Sequence, residues 1–262
     1  MPNITQRLLT RNDCYRAGRT IKPKGIMVHS LGVAQPDPNI LIKTWDNPGV
    51  EVAPHAIVGA ESITQLLPWH WRGWHAGTGT SGQSANNTHI SFEMCEPAGH
   101  TYQGGTMIGY DADRNAAYFA DIYRNAVYLA AYLCKLYHLD PLADGVLICH
   151  SEGYKRGIAS NHADVMHWWP KHGKDMDKFR AEVAQVLKGE RDLTEKEIRA
   201  IVRDELSAIE AERATQSVPA WGRAEWDVAK KAGLVDGTRP MSAATRLELA
   251  VVIGRAARPN IT

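Results

Sequence analysis

Short apolar runs separated by turn residues fill the chain between about residues 20 and 185. KGIMVHS (24–30), HAIVGA (55–60), SITQLLP (62–68), THISFEMCE (88–96) and GVLICHS (145–151), bounded by Pro, Gly and Asn, predict five strands. PNILIKTWDN (38–47) predicts a helix. NAAYFADIYRNAVYLAAYLCKLYH (115–138) is Ala-rich and apolar on every side, as suits a helix packed on a sheet. KDMDKFRAEVAQVLKG (174–189) sets Phe179, Val183 and Val186 on one side and ends at Gly189, a stop signal. Strands and helices in this order predict an α/β domain over 1–189, with a central mixed sheet flanked by helices.

The pattern changes after Gly189. ERDLTEKEIRAIVRDELSAIEAERATQ is highly charged, with Ile198, Val202, Leu206 and Ile209 at helical spacing. It predicts an amphipathic linker helix over 190–216 whose narrow stripe has to pack on something. That something is a neighbouring domain or, through 193–214, a second copy in a homodimer. SVP ends this helix, and 217–262 reads as helix, LVDGTRP turn, helix. Roughly 40 residues make only a marginal core of their own, so a small helical module is expected here.

Composition then narrows the function classes. The chain is 44% hydrophobic and 23% charged, ordinary for a globular protein. Lys+Arg 30 against Asp+Glu 29 leaves a formal charge of +1, which gives no electrostatic ground for a nucleic-acid partner. No stretch approaches the roughly 18 apolar residues of a membrane span. The opening MPNITQRLLTRNDCYRAGR lacks the basic and apolar regions of a signal peptide. Synthesis in the cytoplasm is therefore expected, with any action outside the cell requiring release by another agent. Cys14, Cys95, Cys134 and Cys149 have no CxxC spacing, and Cys95 and Cys149 read as buried thiols.

His29 and His150 each close a predicted strand. Side chains at the C-terminal ends of such strands project towards the cleft where α/β sheets hold ligands. Two of them can share a metal, with a third ligand drawn from the following loop, where His162, Asp164 and His167 are available. Three His or carboxylate ligands with an open fourth position make a catalytic zinc; a hydrogen-bonded structural histidine is the competing reading. In ISFEMCE, strand alternation puts Ile90, Phe92 and Met94 on one face and Ser91, Glu93 and Cys95 on the other. A mid-strand carboxylate is costly to bury without a purpose or a partner, so Glu93 reads either as a general base or as half of a salt bridge. Glu96, on the other face near the strand end, is the weaker candidate.

From about residue 20 to 180 the chain resembles the type 2 N-acetylmuramoyl-L-alanine amidases, the zinc family of many phage lysins and of the peptidoglycan recognition proteins. GIMVHS is similar to the family's first-ligand strand, and PHAIVGAESITQLLPWHWRGWHAG to its hairpin and Trp-His-Ala-Gly signature. NNTHISFEMCE is similar to the strand carrying an acidic residue, and ICHSEGYKRGIASNHADVMHWWP to the segment of the second and third ligands. The resemblance implies Zn2+ held by His29, His150 and Asp164. Relatives usually follow the third ligand with Pro-Gly, where Val165 and Met166 stand here, so His162 and His167 remain alternatives to Asp164.

The resemblance further implies that Glu93 is the general base and that His162 donates to the oxyanion; for His162 the alternative is that it only fixes the loop. His55, Trp74 and His75 would line a substrate cleft, with Trp69 and Trp71 as further wall candidates; hydrogen-bonded structural histidines, and core packing for at least one of the tryptophans, are the alternatives. Pro54 stands where some relatives have a catalytic Tyr. The implied reaction is hydrolysis of the amide between N-acetylmuramic acid and L-alanine in peptidoglycan, as in an endolysin. A non-catalytic peptidoglycan-binding protein and a zinc peptidase acting within the stem peptide are the rival readings. The tail WGRAEWDVAKKAGLVDGTRPMSAATRLELAVVIGRA is similar to one surface-layer-homology-like module, with Thr245, Arg246 and Glu248 at its motif positions. That implies binding of an anionic secondary cell-wall polymer; a helical hairpin for folding or dimerisation is the alternative.

Overall fold

The computed structural model describes residues 4–189, 195–238, 240–241 and 246–256. The chain divides into two compact units, Met1–Arg191 and Asp192–Thr262. The first runs β1 (Ile4–Gln6), α1 (Asp13–Ala17), β2 (Gly25–Ser30), α2 (Pro38–Trp45), β3 (Ala56–Val58), β4 (Ile63–Gln65) and β5 (His89–Met94). It continues through β6 (Thr101–Gln103), β7 (Thr106–Ile108), α3 (Ala116–Tyr137), β8 (Leu147–Cys149), α4 (His150–Lys155) and α5 (Met176–Gly189). The second contains α6 (Glu195–Thr215), α7 (Arg223–Lys231) and α8 (Arg246–Ala256).

Six strands form one mixed sheet in the order β1-β4-β3-β5-β2-β8. Every neighbouring pair is parallel except the β3–β4 hairpin. All six residues of β2 are buried, as a parallel strand covered on both faces requires. The two faces differ in kind. Ile26 and Val28 of β2, with Ile90, Phe92 and Met94 of β5, point into the large apolar core. Met27, between them, belongs to a small second cluster with Ala76, Ala85, Ile148 and Ala159. Glu93 and His29 share this second, less apolar side by alternation.

Helices α3 and α5 pack on each other over the first face. Tyr123 of α3 meets Trp169 and Phe179 with ring centroids 5.2 and 5.6 Å apart, and Trp169 lies 4.9 Å from Phe179. Arg180 of α5 donates to both carboxylate oxygens of Glu152 and to the Leu147 carbonyl, tying α5 beneath the β8–α4 junction. Gly25 admits β8 beside β2, since a Cβ there would lie 2.4 Å from the Val146 carbonyl oxygen.

The five expected strands and three expected helices of this unit form with shorter bounds, and one boundary differs in kind. His150 opens α4 rather than ending a strand, because the Glu152 side chain reaches back to the Cys149 N–H at 3.2 Å and caps a helix there. Strand β1, helix α1 and the β6–β7 hairpin carry no clear periodicity, as elements of three to five residues cannot. In the second unit Leu206 and Ile209 of α6 are exposed, while the side chains of Ile198 and Val202 lie outside the described residues. Thr245 also lies outside them; Arg246 and Glu248 fall within α8, their side chains not described. Among the described residues no helix is long and apolar enough to cross a membrane.

Phe179 is fully buried where α5 meets α3. Phe179→Ala is expected to remove about 3–5 kcal/mol from the unfolding free energy of the first unit, read from its urea transition. A loss below about 1 kcal/mol would contradict this packing.

Candidate metal centre and active site

Parallel register assembles the site. His29 of β2 is the register partner of Glu93 of β5. On the other side Val28 pairs with Cys149, so His150 comes next in line with His29. Three chemically active side chains thus lie in one row across neighbouring strands. Asp164 closes the row, at the start of a short 3-10 turn, Asp164–His167, that packs against β2.

Asp164 Oδ2 lies 3.0 Å from His29 Nδ1 and 2.8 Å from His150 Nδ1, and the two nitrogens are 3.2 Å apart. A tetrahedral zinc with bonds of about 2.0–2.1 Å needs ligand atoms about 3.3 Å apart, close to this triangle. If both nitrogens donate to the carboxylate, two N–H groups crowd onto one oxygen with the nitrogens only 3.2 Å apart. A cation among the three atoms removes the conflict. Among the described residues these three form the group that could hold a metal ion.

The outer nitrogens are held in place. His75 Nδ1 is 3.1 Å from His29 Nε2, and His75 Nε2 is 3.3 Å from the His89 carbonyl oxygen. Read in the donor direction, His29 Nε2–H donates to His75, which donates to the carbonyl. His150 Nε2 is 3.3 Å from the Ser160 hydroxyl. Each outer contact leaves Nδ1 with its lone pair towards the triangle, the usual way a metal-binding imidazole is oriented. Burial lowers the proton affinity of His29, and Asp164 only partly restores it, so the ring stays neutral. Burial also opposes ionisation of Asp164, but the His150 and His29 rings beside it outweigh burial and hold the carboxyl well below its usual range.

The triangle opens into a cavity of about 710 Å³ lined also by Glu93, His75, His162 and Trp74. Glu93 Oε2 is buried without a hydrogen-bond partner. Burial, and then the charges of Asp164 and Glu96, push the Glu93 carboxyl well above its ordinary value. No salt bridge is present at Glu93 among the described residues. His162 is exposed on the rim, its Nδ1 3.1 Å from Ser160 Oγ and its ring 4.8 Å from that of His150. Neither alternative third ligand joins the triangle: His162 turns to Ser160, and His167 Nε2 is held by Glu96 and Ser30.

One expectation needs correction. His55 does not meet a substrate cleft. It is 0% exposed, with Nδ1 accepting the Ser91 N–H and Nε2 bonded to the Trp71 carbonyl oxygen at 2.7 Å. It braces the wall behind the site because every polar edge of the ring is satisfied within the fold. Trp69 is buried in the core and Trp71 packs on Tyr15, which leaves Trp74 as the tryptophan of this trio in the cavity wall. Ser160, which orients His150, carries no signal in the sequence. Glu96 carries one, through His100 and Tyr102 at short spacings, but its role depends on contacts far along the chain.

The family model described as N-acetylmuramoyl-L-alanine amidase matches residues 19–171, more than half of the 262 residues. A Bacillus subtilis (strain 168) protein named N-acetylmuramoyl-L-alanine amidase CwlH is 33% identical over 108 residues, 40% of this chain. That match spans 43% of CwlH's own length. The Staphylococcus aureus hydrolase AmiA, solved in complex with its ligand, is similar in fold, with a TM-score of 0.51 at 20% identity over 71% of this chain and 83% of that one. PlyL gives 0.50 at 22% identity, over 69% of this chain and 96% of that one.

The buried His55 makes a pH prediction. Burial lowers its imidazole to about 4, the Trp71 carbonyl offsetting only part of the effect, against an ordinary value of about 6.5. As pH falls the unfolded chain takes up this proton first. The stability tied to neutral His55 is therefore complete above about pH 6.5 and is lost as pH falls to about 4. His55→Gln is expected to reduce the loss of unfolding free energy across that window by about 3 kcal/mol. Parallel acid dependence in the two proteins, measured by urea unfolding at each pH, would contradict the burial of a neutral ring.

Proposed function

The chain belongs to the N-acetylmuramoyl-L-alanine amidase family, and on that premise we propose that it is a peptidoglycan hydrolase of the endolysin kind. In this reading His29, His150 and Asp164 hold zinc, and the bond cut joins N-acetylmuramic acid to L-alanine of the stem peptide. The observation that carries the reading is the convergence of two imidazole nitrogens and a carboxylate oxygen in a cavity that also holds the partnerless Glu93 oxygen.

When bound, zinc supplies a Lewis acid that lowers the pKa of water towards about 7 and polarises the amide carbonyl. Glu93 takes the proton of the attacking water. Its buried carboxyl holds a proton more tightly than a solvated one, which suits it first to accept that proton and then to return it to the leaving nitrogen. His162, on the rim, donates a hydrogen bond to the oxygen that gains negative charge. Trp74, Leu31, Leu41 and Trp45 give the cavity an apolar wall against which a glycopeptide can pack. His75 keeps His29 in one tautomer and orientation.

For the second unit we propose wall attachment through an anionic polymer, supported by the resemblance of its motif positions Thr245, Arg246 and Glu248. A homodimer through 193–214 is supported by the exposure of Leu206 and Ile209.

The test is mass spectrometry of purified peptidoglycan after digestion, with chelator and with zinc restored. Stem peptides bearing a free L-alanine amine, lost with chelator and regained with zinc, are expected. New amines within the stem would make the protein a zinc peptidase instead. Retention on the wall without cleavage would make it a binding protein. Glu93→Gln is expected to cut kcat by about 10²- to 10⁴-fold with zinc content unchanged; comparable kcat in the variant would remove Glu93 from the reaction.

A further inference from the structure

One buried carboxylate beside the site takes no part in this chemistry. Glu96, just past β5, is 0% exposed, and a charge buried so deeply persists only when it is fully paired. Its Oε1 accepts the Gly32 backbone N–H at 3.0 Å and lies 3.1 Å from His167 Nε2. Its Oε2 accepts the Tyr102 hydroxyl at 2.6 Å and the His100 Nε2–H at 3.0 Å. The nitrogen of His167 also lies 3.1 Å from the Ser30 hydroxyl. These bonds hold the carboxyl below its usual range although burial pushes the other way.

Two of the segments gathered at Glu96 carry the residues that converge on the metal position. Ser30 and Gly32 follow His29 at the end of β2. His167 ends the turn that Asp164 begins. Asp164 has φ 47°, a left-handed conformation that β-carbon-bearing residues adopt at a cost. The His167–Glu96 contact holds the turn from outside, while the Gly32 N–H fixes the neighbouring strand end to the same carboxylate. Four donors need the paired lone-pair capacity of two oxygens. A glutamine amide would turn an N–H₂ towards one pair of them.

We propose that Glu96 is a positioning residue for the metal centre: through His167 and Gly32 it clamps the Asp164 turn to the end of the His29 strand. It thereby sets the spacing of the ligand atoms while touching neither ion nor substrate. The proposal rests on the reading of His29, His150 and Asp164 as metal ligands.

The test is zinc affinity of the full chain, measured by competition with a chromophoric chelator. Parent, Glu96→Gln, His167→Ala and the double variant are compared, with thermal unfolding of each zinc-free form. Each single variant is expected to bind zinc about 10- to 100-fold more weakly. The double variant should be little weaker than either single one, because both break the same clamp. Tyr102→Phe removes a Glu96 partner on the hairpin side alone, and is expected to lower the unfolding temperature while leaving zinc affinity within about threefold of the parent. Zinc binding by Glu96→Gln as tight as the parent's would overturn the clamp. So would affinity losses that follow unfolding temperature across all the variants, Tyr102→Phe included. Failure of the parent itself to bind one zinc, or an Asp164→Ala variant that binds as well as the parent, would overturn the ligand reading and the clamp with it.

Discussion

A single carboxylate oxygen, Oδ2 of Asp164, meets two imidazole nitrogens, one at the end of β2 and one at the start of α4 just past β8. Around this contact the rest of the site is arranged. The nitrogens are brought together by parallel register, since β2 and β8 run side by side with Val28 opposite Cys149. The carboxylate arrives from 14 residues beyond His150, on a single short 3-10 turn. The site is rigid on its strand side and conditional on its loop side. The outer contacts divide accordingly: His75 and Ser160 orient the histidines, and the Glu96 cluster anchors the turn.

The sheet makes this arrangement affordable in stability. One face is apolar and lies beneath α3 and α5, where Trp168, Trp169, Phe92 and Phe179 are fully buried. The other face has only a small apolar cluster around Met27 and Ile148, and carries His29 and Glu93. Burying neutral histidines, and a carboxylate oxygen of Glu93 that has no partner, costs free energy. The alternation of β2 and β5 confines that cost to one side, so the packing opposite is undisturbed. Stability and chemistry thus use alternate residues of the same two strands.

How much of this was legible in the sequence follows from the range of each interaction. The alternation in ISFEMCE already separates Ile90, Phe92 and Met94 from Ser91 and Glu93, because strand geometry is local. The apolar runs around Gly25–Ser30 and 115–138 likewise announce a buried strand and a packed helix. Asp164 is different. Periodicity does not distinguish it from His162 or His167, and family likeness favours it; the two histidines are drawn off by Ser160 and by Glu96 with Ser30, contacts that exist only in the folded chain. His55 shows the same limit from the other side, since its satisfaction by Trp71 and Ser91 depends on elements 16 and 36 residues away. Hydrogen-bond partners remote in sequence decide whether a histidine lines a cavity or braces its wall.

The most direct measurement is anomalous diffraction at the zinc edge from crystals of the zinc-loaded protein. The expected result is one strong peak about 2.0–2.2 Å from His29 Nδ1, His150 Nδ1 and Asp164 Oδ2, with Glu93 facing the open side. A peak that replaces Asp164 with His162 or His167, or no ordered zinc among these three residues, would contradict the metal centre on which the proposed chemistry depends.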